Sequence, residues 1–180
     1  MPPSRTTPVS LLLSRIRAGQ SEALGELYHR FAGDLGALAQ RLTGSRQDAE
    51  DVVHDVFLGL PEALKHYDER GQFDAWLRRV TARVALTRVR LRQRRSEREL
   101  GSDVPHEPTA PSLDDKFALT KAVDSLPDGL RTIIVLKMIE GYSHEEIAVL
   151  LGITPRASEQ RLYRAVKALR SQFTSTRSGQ

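Results

Sequence analysis

Residues Ser143 to Arg170 read SHEEIAVLLGITPRASEQRLYRAVKALR, and this stretch decides the fold. Ser143 stands three residues before Glu146, the spacing of a capping box, and Ile147, Leu150 and Leu151 follow at helical intervals. Gly152 ends that helix, Ile153 is apolar, and Thr154-Pro155 caps and opens the next. Helix, glycine-containing turn, helix is a helix-turn-helix pattern, with the small Ala148 at the crossing. The second helix presents Ala157, Leu162, Ala165 and Leu169 as a core stripe, which leaves polar side chains outward. Arg156, Glu159, Gln160, Arg161, Tyr163, Arg164 and Lys167 are therefore the residues expected to reach base edges and phosphates in a major groove. The competing reading is a helical hairpin with a solvated charged face.

Working back from there, Lys116 to Ser125 and Asp128 to Glu140 have helical spacing, the latter stopped by Gly141. Before them, Glu99 to Asp115 (ELGSDVPHEPTAPSLDD) is acidic, carries three prolines and has no helical period, so it reads as a flexible linker. No strand alternation and no internal repeat is found. The expected organisation is all-α: a helical bundle over residues 9–98, a linker over 99–115 and a helix-turn-helix domain over 116–174.

Four helices are expected ahead of the linker. The first runs from Val9 to Ala18 and stops at Gly19. The second opens at Ser21, carries Leu24, Leu27, Tyr28, Phe31, Leu35, Leu38 and Leu42 on one stripe, and ends at Gly44. The third starts near Ser45 with a stripe of Ala49, Val52, Val53, Val56, Phe57 and Leu60, and Pro61 should kink or interrupt it. The fourth spans Asp74 to about Arg98, with Phe73, Trp76, Leu77, Val80 and Val84 apolar. Trp76 reads as bundle core rather than as a stacking platform.

Charge is distributed unevenly along these helices. The net charge of +4 is too small to define a partner, but Ala75 to Ser96 holds eight arginines and no acid. Arg78, Arg79, Arg83, Arg88, Arg90, Arg92, Arg94 and Arg95 therefore have no acid among them to pair with, and should repel one another until a polyanion arrives. Acids supplied by a neighbouring helix are the alternative. On the third helix Asp48, Glu50, Asp51 and Asp55 stand beside the apolar stripe, an acidic face that a basic partner could meet or that water could simply solvate.

Other classes fit less well. With no cysteine there is neither a disulfide nor a thiolate metal site, which suits a reducing cytosol. No apolar run reaches membrane-spanning length, and Met1 to Ser10 lacks a signal-peptide core, so a soluble cytoplasmic protein is expected. Glu26-x-x-His29 and Asp51-x-x-His54 have the form of di-iron bundle ligands, but each histidine lies about 140° around its helix from the stripe anchors Leu24 and Ala49. They should face away from the bundle interior. No hydrolase or phosphate-loop motif is present. The expectation is no catalysis, no metal and no cofactor.

In this order, four stretches resemble one family: DAEDVVHDVFLGL (Asp48–Leu60), FDAWLRRVTARVALTRVRLRQRR (Phe73–Arg95), LPDGLRTIIVLKMIEGYSHEEIAVLLGI (Leu126–Ile153) and ASEQRLYRAVKALR (Ala157–Arg170). The chain from about Leu11 to Leu169 is similar to the extracytoplasmic-function sigma factors, the smallest class of the bacterial sigma-70 family. The resemblance implies a subunit that joins core RNA polymerase and directs promoter-specific initiation. It implies that Asp48, Glu50, Asp51 and Asp55 dock on the clamp of the largest subunit, and that the C-terminal domain sits on the flap of the second-largest. Arg78, Arg79, Arg83, Arg88, Arg92 and Arg95 would hold the minus-ten element, with flipped bases captured nearby, and the helix from Pro155 to Arg170 would read the minus-thirty-five element. No further C-terminal domain is expected, so regulation is expected to come from an outside partner, an anti-sigma factor. Two positions depart from the pattern. Pro61 stands where many relatives carry an aromatic residue, implying a different bend; Ser158 stands where an apolar residue is common, implying a looser recognition helix. The competing readings are a helix-turn-helix regulator that does not join the polymerase and, from another class, a bundle metalloenzyme.

Overall fold

A computed structural model of the chain describes residues 7–68, 71–100 and 115–177, and the side chains of these except at 95–100, 115–118 and 174–177. The central part of the expected linker, 101–114, and the Arg95 side chain lie outside the described residues. Among the described residues there are α-helices and no strand. They fall into two compact units, residues 1–40 with 45–85, and residues 41–44 with 86–180.

The first unit contains α1 (Val9–Arg17), most of α2 (Ser21–Thr43), α3 (Arg46–Ala63), a 3-10 turn (Leu64–His66) and the first half of α4 (Phe73–Leu100). Gly44 ends α2 in the left-handed region at φ 68°, where a side chain would be strained. Ser45 then caps α3, its hydroxyl accepting the Asp48 N–H at 3.2 Å. The core is drawn from Leu12, Leu13 and Ile16 of α1, one stripe of α2, the expected six residues of α3, and Phe73 and Leu77 of α4. Arg17 ties the unit together from its surface, donating from Nε to the Leu64 carbonyl (3.2 Å) and from Nη2 to the Tyr67 carbonyl (2.7 Å). The Leu64 carbonyl also accepts the Tyr67 N–H at 3.3 Å, so Arg17 braces the bond that closes the 3-10 turn.

Three expectations need correction here. The α2 stripe centres on Ala23, Leu27, Phe31, Leu35, Leu38 and Ala39, while Leu24 is half-buried and Tyr28 exposed. Two alanines carry little hydrophobic signal in a sequence, yet they bring the backbone close to its neighbours. Tyr28 still packs edge-on against Phe57, with ring centroids 5.0 Å apart. Second, α3 runs through Pro61 to Ala63, and the tighter 3-10 turn starts at Leu64. An exposed proline in the last turn removes one bond, to the Phe57 carbonyl, and leaves the rest of the ladder intact. Third, Val80 and Val84 of α4 are only half-buried; the seam runs instead through Leu77, Thr81, Ala82 and Ala85. The buried Thr81 hydroxyl is satisfied by the Leu77 carbonyl at 2.9 Å.

The second unit contains α5 (Asp115–Asp124), α6 (Asp128–Ile134), a π turn (Val135–Ile139), α7 (His144–Leu151) and α8 (Pro155–Arg177). The single helix expected over Asp128–Glu140 therefore changes pitch at Val135. The Glu140 N–H reaches back to the Val135 carbonyl at 3.0 Å, the i→i−5 bond of a π turn. The wider turn keeps Val135 and Leu136 buried and leaves Met138 and Ile139 exposed. Ile133, Ile134, Leu126, Ile147, Ala148 and Ala165 complete this core. Arg131 is buried too, which its charge conceals from any apolar pattern. It donates to the carbonyls of Asp124 (3.2 Å), the last residue of α5, and Leu126 (3.1 Å), just beyond it, and pairs with the Asp128 carboxylate, so its charge is compensated where it lies.

Candidate nucleic-acid interface

Both reciprocal bonds of the capping box form at the start of α7. The Ser143 hydroxyl accepts the Glu146 N–H at 3.1 Å, and the Glu146 carboxylate accepts the Ser143 N–H at 2.9 Å. Beside it, a backbone bond and the Ser143 side chain hold the Glu145 carboxyl below the usual carboxylate range. Gly152 closes α7 in the left-handed conformation, φ 67° and ψ 38°. The Thr154 hydroxyl then accepts the Ala157 N–H at 3.1 Å, and Pro155 opens α8. Every local signal of the helix-turn-helix thus has its bond.

On α8 the expected outward residues Arg156, Glu159, Gln160, Tyr163, Arg164 and Lys167 are exposed, and Tyr163 reaches 71%. Arg161 is half-buried, at the edge of that face. Glu159, Gln160, Tyr163 and Arg164 line a shallow depression open to solvent. The inner face differs from the expected stripe. Ala157, Leu162 and Leu169 are half-buried, whereas Ser158 is fully buried along with Ala165. Its Oγ lies 2.9 Å from His144 Nδ1 at the start of α7. The looseness expected of a serine here is replaced by a directed bond. The sequence did carry a signal, since Ser158, Leu162, Ala165 and Leu169 recur at helical spacing.

The arginines of α4, Arg78, Arg79 and Arg83 in the first unit and the later ones in the second, are placed on several sides of the helix. Arg79, Arg83, Arg90, Arg92 and Arg94 are exposed, and Arg78 and Arg88 half-buried. Arg78, Arg79, Arg83, Arg88 and Arg92 all engage partners within the chain, so the expected ladder of mutually repelling cations is moderated. At the N-terminus of α4, Phe73 packs edge-on and the half-buried Trp76 tilted against Tyr67, whose ring lies 4.6 Å from that of Trp76. Phe31 completes the cluster from α2. Trp76 belongs to this packing.

On α3, Asp51, Asp55 and Glu50 are exposed and Asp48 half-buried in the first turn. Glu50 pairs with Arg46 at 2.9 Å. Leu58, 67% exposed, extends the line of Asp51 and Asp55 at i+7, an apolar neighbour that sequence reading passed over. His29 and His54 are exposed, and Glu26 is tied to Arg15 at 3.2 Å and to the Thr7 hydroxyl at 3.1 Å. Among the described residues no three His, Cys, Asp or Glu side chains gather as a metal set. No described helix is long and apolar enough to cross a membrane.

A helical bundle with an arginine helix and an acidic helix, followed by a fully capped helix-turn-helix, defines a DNA-directed transcription protein. Sigma-70 region 2 matches residues 27–95, and sigma-70 region 4 matches residues 116–169. NccH of Alcaligenes xylosoxydans xylosoxydans, an RNA polymerase sigma factor, is 30% identical over 164 residues, covering 86% of this chain and 88% of that protein. The ECF sigma factor SigE of Mycolicibacterium smegmatis is 35% identical over 153 residues, covering 81% of this chain; the chain spans 59% of SigE's length. The fold is shared with sigma factor RpoE of Bartonella quintana, solved in complex with the anti-sigma factor NepR, at 22% identity and a TM-score of 0.59, covering 83% of this chain and 96% of RpoE. The chain belongs to the extracytoplasmic-function sigma factors of the sigma-70 family. This is a family of transcription factors, not of enzymes.

Proposed function

We propose that the chain joins core RNA polymerase in the cytoplasm as its promoter-selecting subunit, reading the minus-thirty-five element with α8 and holding the minus-ten element with the arginine face of α4. The observation that carries this reading is the α8 surface: a capped helix with Arg156, Glu159, Gln160, Tyr163, Arg164 and Lys167 all presented to solvent on a small apolar base. Cations there suit phosphates, and amide, carboxylate and phenol suit base edges. Asp48, Glu50, Asp51 and Asp55 dock on the clamp of the largest polymerase subunit, and the C-terminal unit sits on the flap of the second-largest. Chemistry stays with the polymerase, and this chain supplies no catalytic group, metal or cofactor. Restraint comes from an anti-sigma factor, as the complex of RpoE with NepR suggests. Reconstitution with core polymerase on a promoter library tests the whole reading: sequence-specific initiation is expected. Duplex binding without initiation would identify a regulator that acts apart from the polymerase.

Glu159→Ala should relax preference at one base pair of the minus-thirty-five element by about 1–3 kcal/mol of discrimination. A carboxylate near DNA is repelled by phosphates, and the cytosine amino group is the donor that compensates it. Non-specific affinity should rise slightly. Selection from the same library checks this, and a base profile unchanged at every minus-thirty-five position would leave Glu159 as a mere orienting partner of Arg156 or Tyr163.

The division into 9–98, 99–115 and 116–174 is likewise proposed from the acidic, proline-bearing stretch between the two matched regions. Limited digestion should cut first between Glu99 and Asp115 and leave two folded fragments. Subtilisin suits the experiment, because that stretch has no Lys or Arg for trypsin. First cuts within α2 or α3 would count against the division.

A further inference from the structure

We infer that His144 and Ser158 are positioning residues that fix the rotation of the recognition helix and so decide which side chains face the minus-thirty-five bases. The inference rests on the reading of α8 as the promoter-reading helix and adds what aims it. Ser158 is 0% exposed, and its Oγ lies 2.9 Å from His144 Nδ1. An apolar side chain would fill a buried site at lower desolvation cost, so what the hydroxyl adds is direction. The ring is itself anchored, because His144 is the first residue of α7 and that end is held by the capping box of Ser143 and Glu146. At the other end of α7, Gly152 to Thr154 is all that separates it from α8. The two helices are thus joined twice, by the turn where α7 ends and by the hydrogen bond where α7 begins.

The bond controls aim because it acts one residue from the reading face. With Ser158 held inward, Glu159 lies about 100° and Gln160 about 200° around the helix. At a side-chain radius of about 5–6 Å, a rotation of about 25° carries the Glu159 carboxylate some 2–3 Å, more than a hydrogen bond to a base edge tolerates. The serine hydroxyl can donate to an unprotonated Nδ1 or accept from a protonated one, so the link holds in either tautomer.

The test uses full-length chain reconstituted with core RNA polymerase on a library randomised over the minus-thirty-five element. The variants are Ser158→Ala, His144→Leu and His144→Asn, the last keeping a polar atom at the δ position. Ser158→Ala and His144→Leu should each lower initiation from the preferred sequences by about tenfold and flatten the base profile, the size of one net hydrogen bond. Binding to core polymerase should be unchanged, and His144→Asn should return the profile to within about twofold of wild type. Ser158→Ala suits a helix and leaves the half-buried ring open to water, so it decides the matter alone if His144→Leu loses helicity by circular dichroism. Variants that melt earlier but keep the wild-type base profile would overturn the inference, leaving an ordinary packing contact. If scrambling the minus-thirty-five element leaves wild-type initiation unaltered, the reading of α8 fails first and takes this inference with it.

Discussion

Asp51→Arg combined with Asp55→Arg should weaken binding to core RNA polymerase by about a hundredfold, while the free chain keeps its helicity. Both carboxylates are exposed on α3, on the side away from Val52, Val53, Val56 and Phe57, which are buried. Like charges opposed at an interface cost several kcal/mol, and about 3 kcal/mol corresponds to about a hundredfold in affinity. The cost to the free fold is far smaller. Both residues have partners within the chain, but exposed pairs are worth only about 0.2–1 kcal/mol each. Competition against unaltered chain for core enzyme measures the first effect and circular dichroism the second. Undiminished affinity would return the acidic face to simple solvation.

Replacing Arg88, Arg92 and Arg95 together with Gln should flatten the salt dependence of promoter binding by about 2–3 log units. These residues recur at i, i+4 and i+7, so they fall along one side of α4. Each phosphate left without its arginine takes roughly 0.7 to 0.9 from the slope of log K against log salt, and the triple variant frees three phosphates. Affinity for promoter DNA in the polymerase complex falls with it, most visibly at low salt. Glutamine keeps the stem as far as the δ carbon and the helix propensity, so folding is little disturbed. The partners that Arg88 and Arg92 already have within the chain do not prevent this, because a guanidinium has five donors to share. An unaltered slope would show that this side of the helix does not touch the backbone.

Much of the fold and of the helix-turn-helix was legible in the sequence, and the reason is local chemistry. Ser143 with Glu146, Gly152, and Thr154 with Pro155 each encode a bond or a dihedral within four residues, and all form as read. The α3 stripe was equally plain because its six buried residues are all apolar. What escaped depends on partners distant in sequence or on residues whose burial contradicts their type. Ser158 is buried because His144, fourteen positions earlier, meets it. Arg131 is buried because carbonyls at the end of α5 and the Asp128 carboxylate accept its hydrogen bonds. The α2 stripe was displaced because Ala23 and Ala39 contribute fit rather than hydrophobicity. Arg17 escaped for a related reason, since it binds main-chain oxygen and no side-chain pattern announces that.

The division of α8 into a closed inner face and an open outer one has an evolutionary consequence. Enlarging Ala165 would overpack a fully buried site at a cost of about 1–3 kcal/mol, so that side is closed to variation. Exchanges at exposed Gln160, Tyr163 or Arg164 fall within about 0.5 kcal/mol of neutrality for folding. On the proposed reading of α8, promoter preference is therefore free to drift without toll on stability. After gene duplication, two daughter chains can part company at a few surface codons and come to govern separate sets of genes, each keeping the inherited scaffold.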